Sequence, residues 1–74
     1  MTHELLSTVV LAKDLPEHHL KAGDLGSVVE CYNDEAVEVE FVTGAGKTLA
    51  VLTLLNNQVR DIGEDDVLSV RHAS

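Results

Sequence analysis

The sequence has no tryptophan and only one residue each of phenylalanine, tyrosine, proline and cysteine. A single cysteine excludes an intrachain disulfide, and a small chain that manages without one suits the reducing cytoplasm. With Phe41 and Tyr32 as the only aromatics, the core has to be aliphatic, drawn from valine and leucine. Basic residues are also scarce: five Lys and Arg against thirteen Asp and Glu give a formal charge of −8. Lys13, Lys21, Lys47, Arg60 and Arg71 are scattered singly, so the clustered cations that track a phosphate backbone are missing and nucleic acid is not expected as a partner. The acidic surface reads first as a solubility device. No apolar run reaches the roughly 20 residues of a membrane-spanning helix, and the opening MTHELLSTVV lacks the basic region and long apolar stretch of a signal peptide. The sequence therefore points to a soluble cytoplasmic protein with no membrane partner.

What is present suffices for one domain. Seventy-four residues, 45% of them hydrophobic, bury roughly 60% of their unfolded surface, and at this size core burial and chain entropy nearly cancel. A partner subunit would add stability. The clearest local signal is Gly23 to Phe41, GDLGSVVECYNDEAVEVEF, where Val37, Val39 and Phe41 alternate with Glu38 and Glu40. That period of two belongs to a strand with one face on a core and the other in water. With Leu25 to Tyr32 before it and the turn Asn33 to Ala36 between, the segment reads as a β-hairpin.

Residues 1–4 are polar and read as a flexible N-terminus, and Leu5 to Ala12 as a first strand rich in β-branched residues. Lys13 to Ala22 holds the only proline among charges and forms the longest loop, with Leu15 and Leu20 folding back onto the body and Gly23-Asp24 turning into the second strand. Gly26 predicts a bulge or bend that lets one strand serve two sheets. Thr43 to Gly46 is a second turn, Lys47 to Leu54 a fourth strand, Leu55 to Gln58 one helical turn, and Val59 to Ile62 a short closing strand. Short strands at even spacing with no amphipathic helix indicate a small all-β barrel over residues 5–62. Residues 63–74 read as a tail, or else Val67 to Val70 adds an edge strand or packs on a neighbouring subunit.

The pattern LLSTVVLAKDLPEHHLKAGDLGSVVECY, then AVEVEF, then GKTLAVLTLLNNQVR resembles a bacterial family of short proteins known as domain of unknown function 4926. The resemblance implies a five-stranded SH3-like barrel, with Val9 and Val10 on the first strand, Leu15 and Pro16 in the loop, Gly26, Val28 and Val29 on the second strand, Glu38 and Phe41 on the third, and Thr48, Leu49 and Leu54 on the fourth. These are structural positions, and the resemblance brings no catalytic residue with it. Two departures stand out: Leu55-Asn56-Asn57, where a turn with proline is usual, and the residues after Ile62.

Each motif that invites a chemical reading has a plainer one. Gly44-Ala45-Gly46-Lys47-Thr48 ends like a phosphate-binding loop, but the first glycine of that pattern would fall at Phe41 and no helix starts at Lys47. A hairpin turn is expected there. His3, His18, His19 and His72 with Cys31 carry zinc-ligating atoms but no ligand spacing, so no metal or other cofactor is expected. Cys31 is assigned to the inward set of strand two with Val29, as a small core residue. Glu30, Glu38 and Glu40 gather on one open face, where Lys47 or Arg60 would ease their repulsion; without a pocket to separate their pKa values they are not an acid–base pair.

Strand four is the anomaly. Leu49 and Val51 lie on one face and Ala50, Leu52 and Leu54 on the other, whereas a thin barrel has one inside. An outward apolar set of Leu49 and Val51 with Val42 and Tyr32 fits a protein contact, in a homodimer or with another chain. The expected function is a non-catalytic protein-interaction module, an accessory or regulatory small subunit. Its rivals are a small subunit completing a partner enzyme's active site through the Pro16 to Ala22 loop, and an acidic antitoxin-like inhibitor of a basic partner.

Overall fold

A computed structural model describes residues 3–73. Five strands, β1 (Thr8–Leu11), β2 (Leu25–Tyr32), β3 (Ala36–Val42), β4 (Thr48–Leu55) and β5 (Val59–Asp61), pair antiparallel in one sheet of order β4-β3-β2-β1-β5. The chain is all-β, with one turn of 3-10 helix, Asn56–Gln58, ahead of the last strand as the sequence predicts. The hydrogen-bonded ladder stays open, with β4 and β5 as its edges. A second 3-10 turn, Pro16–His18, lies in the long loop, where proline at the first helical position supplies its fixed φ.

The core is the aliphatic cluster that the composition requires: Val9, Leu11, Leu15, Leu20, Val28, Val37, Val39, Leu54 and Val59 around Phe41. The alternation in β3 is realised, with Val37, Val39 and Phe41 buried and Glu38 and Glu40 on the other face. Leu15 and Leu20 bridge to each other and pin the loop to this core.

Several local expectations change. β1 starts at Thr8 because Leu6 has φ 67°, a left-handed turn that no strand continues through. Its amide still reaches Val28 O at 2.6 Å, and Val28 N reaches Ser7 O at 2.9 Å. The bulge in β2 falls at Val29, between the pairs Val28–Val39 and Glu30–Glu38, and not at Gly26. Gly26 instead permits close packing: a Cβ there would lie 2.5 Å from Val39 Cγ1 and 2.9 Å from Phe41 Cε1. β2 does serve two neighbours, pairing with β1 through Leu25, Gly26 and Ser27 and with β3 from Ser27 onward. The bulge also shifts the strand's parity, so Cys31 shares its face with Val28 and not with Val29.

The ends are tied down by polar contacts. His3 Nδ1 lies 2.7 Å from Asp61 Oδ1, its ring largely shielded, and its carbonyl accepts from Cys31 Sγ at 3.3 Å. Of the segment expected to be flexible, residues 1–4, His3 makes these contacts, and Met1 and Thr2 lie outside the described residues. Val67 to Val70 form no strand. Past a turn at Gly63–Asp66 the tail runs back to the long loop, where the Arg71 guanidinium bonds both Asp24 carboxylate oxygens, at 2.8 and 2.6 Å, and His19 O at 2.8 Å.

Candidate interaction surface

β2, β3 and β4 turn one face to solvent, and their register lays its side chains out in rows. Tyr32, Ala36 and Leu55 form the first row, Glu30, Glu38 and Thr53 the second, and Ser27, Glu40 and Val51 the third. Val42 and Thr48 close it beyond a bulge at Leu49. Ala50, Leu52 and Leu54 point the other way, opposite Phe41, Val39 and Val37 of the core. All four residues of the expected patch are exposed: Tyr32 by 42%, Val42 by 53%, Leu49 by 39% and Val51 by 46%. They do not form one compact cluster. Tyr32 stands opposite Ala36 at one end of β3 and Val42 at the other, about 20 Å apart at the rise of a strand. Val51 lies between them on the β4 edge. The sequence reading also misses Leu55, 54% exposed and in the row with Tyr32. Assigning it to the helical turn hid it, although Leu49, Val51, Thr53 and Leu55 keep the period of two.

Two of the three glutamates on this face are held by hydroxyls, and Glu30 Oε1 accepts from Cys31 N at 3.1 Å. Tyr32 Oη donates to Glu38 Oε1, and the carboxylate beside it raises the tyrosine pKa. Thr48 Oγ1 donates to Glu40 Oε2 at 2.6 Å. Arg60, one of the two cations expected to ease the repulsion, is instead engaged twice by Asp66, at 2.8 and 3.0 Å. No ion pair among the described residues involves Lys47.

Beyond Val42 the face ends in a groove of about 550 Å³ between the body and the tail, lined by Leu20, Phe41, Val42, Leu49, Val70 and Arg71 among others. A hollow of about 360 Å³ beside it brings Lys21 and Arg71 near His19 and His72. Asp14 lines it too and Arg71 is neutralised by Asp24, so it is not a strongly cationic site.

The model of the family described as domain of unknown function DUF4926 matches residues 5–61. The chain belongs to that family. The DUF4926 match takes in all five strands and stops at Asp61, the last residue of β5, so the Arg71 tail lies beyond it. No curated protein and no solved structure matches the chain. Among the described residues no helix is long and apolar enough to cross a membrane.

The remaining motifs of this DUF4926 chain sit apart from one another. Gly44 to Lys47 is a hairpin turn, with Gly46 at φ 81° donating to Thr43 O at 2.9 Å. Among the described residues no three His, Cys, Asp or Glu side chains stand where they could hold a metal ion together. Cys31 is half-buried against the core.

Proposed function

We propose that this protein is a non-catalytic interaction module, an accessory or regulatory small subunit of the bacterial cytoplasm, which engages its partner through the outer face and free edge of β4. The observation that carries the reading is that β4 is apolar on both sides. Its inward residues build the core, while Leu49, Val51 and Leu55 stand in solvent beside Tyr32 and Val42. Leu5, Leu6, Val67, Leu68 and Val70 are exposed as well but lie outside the strands, whereas these residues share one face of the sheet, and an exposed apolar patch on a small domain marks a contact with another molecule. The loop that would have to complete a partner enzyme's active site is pinned by Leu15, Leu20 and the Arg71 tail, which favours a rigid binding body over a reaching arm.

The test compares the full chain with a Val51→Lys/Leu55→Lys variant as bait for chains encoded beside it and for itself. Binding that falls at least tenfold in the variant, with an unchanged far-ultraviolet dichroism spectrum, supports the reading. A partner bound equally by both chains sinks it. An activity assay on any captured enzyme, with and without the small chain, then separates an accessory from an active-site-completing role.

A further inference from the structure

The geometry points to a second copy of this chain as an occupant of the β4 edge, the two β4 strands pairing antiparallel about a two-fold axis near Leu52 so that two five-stranded sheets become one. This deepens the interaction reading above and rests on it.

The direction of the β4 backbone is readable from its ends. Asn56 N donates to Glu35 O at 2.9 Å, which makes Glu35 and Asn56 a bonded pair next to the ladder pair Ala36–Leu55. Bonded and non-bonded pairs alternate in an antiparallel ladder. The peptide groups of Leu54, Leu52 and Ala50 therefore face β3, and those of Leu55, Thr53 and Val51 face away from it. Leu55 confirms the assignment, since its amide is taken by Gln58 Oε1 at 2.7 Å. The amides of Val51 and Thr53 are left on the open edge.

Sheet edges are normally blunted by charge, proline, a very short strand or a covering segment. The β5 edge follows that rule: three residues long, it carries Arg60 and Asp61, and Arg60 is bridged to Asp66. β4 does not. Over eight residues, TLAVLTLL, it has neither a charge nor a proline. The strand is also complementary to itself. Antiparallel pairing has to set inward residues opposite inward ones, and with Leu52 at the axis Ala50 meets Leu54 of the second copy, small against large. On the outer face Val51 meets Thr53 of the second copy, and the two exchange both of their hydrogen bonds. No like charges come opposite each other.

The net charge of −8 does not forbid this pairing. The nearest outer-face carboxylate row holds Glu40, opposite Val51 and one strand in from the edge. With Val51 opposite Thr53 of the second copy, Glu40 of one chain shares its row with Glu38 of the other, three strand spacings or about 14 Å away, against a screening length of about 8 Å at physiological ionic strength. Glu38 and Glu40 accept from Tyr32 and Thr48 within their own chain, which orients the carboxylates while leaving them charged.

Sedimentation equilibrium and amide hydrogen exchange on the full chain, from micromolar to near-millimolar concentration, test the pairing. The mass is expected to rise from 8.0 kDa toward twice that value. Over the same range exchange at Val51 and Thr53 slows at least tenfold, while the Leu55 amide, bonded within its own chain, does not respond. Val51→Lys weakens self-association at least tenfold; should that variant misfold, the exchange measurement on the natural chain decides alone. A monomer at every concentration, or a dimer whose Val51 and Thr53 amides ignore concentration, overturns the inference. A monomer that still captures another protein through Val51 and Leu55 leaves the broader reading standing, and absence of both kinds of binding removes the two together.

Discussion

Gly26 is where a single hydrogen atom decides the packing between β2 and β3. Val39 is fully buried and β-branched, so its stiff side chain yields little to a Cβ 2.5 Å from its Cγ1. The Phe41 ring blocks the second direction. Gly26→Ala is expected to destabilise the fold by about 1–3 kcal/mol, the usual cost of overpacking. For a domain of this length, whose stability is about 4–11 kcal/mol, urea unfolding would register that as a clear fall in midpoint. A midpoint equal to that of the natural chain would mean that β2 and β3 separate easily at this point. The sequence marks Gly26 as special but assigns it the wrong task. A glycine in a strand is equally compatible with a bend and with close packing, and only the position of Val39 and Phe41 across the sheet distinguishes them. Cys31 packs against the core as the sequence suggests, but its companion on that face is Val28 and not Val29, because the Val29 bulge has no signature of its own in GSVVECY.

At the scale of elements, what repeats along the chain was legible and what joins distant segments was not. The alternation of β3 sets its burial residue by residue, and the two faces of β4 separate as the sequence suggests. The tail contact is different in kind, since Arg71 meets Asp24 across 47 positions and neither residue stands out in its own neighbourhood. Its chemistry makes a pH prediction. Arg60, with help from the Gly63 amide, lowers the Asp66 carboxyl to about 2, and Arg71 lowers that of Asp24. Both folded values lie below the unfolded value of about 3.9. The stability these groups contribute is therefore complete above about pH 4 and is lost as pH falls through the folded values. Carboxyl carbon NMR is expected to show Asp66 titrating near 2 and Asp24 below an ordinary aspartate. Arg71→Ala should return Asp24 to the ordinary range, free the tail and leave Asp66 unchanged. An Asp24 that titrates normally in the natural chain would show that the tail is not latched in solution.

For the molecule as a whole, the excess of thirteen acidic over five basic residues acts in opposite directions on the two kinds of binding that the surface supports. Salt screens the repulsion within one chain and between two copies, so added salt should raise the thermal midpoint and tighten a β4-paired homodimer. The ion pairs at Asp24 and Asp66 weaken in the same titration, but surface pairs contribute little to stability beside the screening of a net charge of −8. A complex with a basic partner, as an acidic inhibitor would form, behaves in reverse: it loses Coulomb attraction and weakens steeply as salt is added. Measuring association from low to physiological ionic strength thus reads the dominant force directly. Self-association that strengthens with salt is what pairing through the apolar, uncharged β4 strand requires. A self-association that weakens with salt would require opposite charges to meet across the interface, and β4, which carries none, would have to be replaced by another contact.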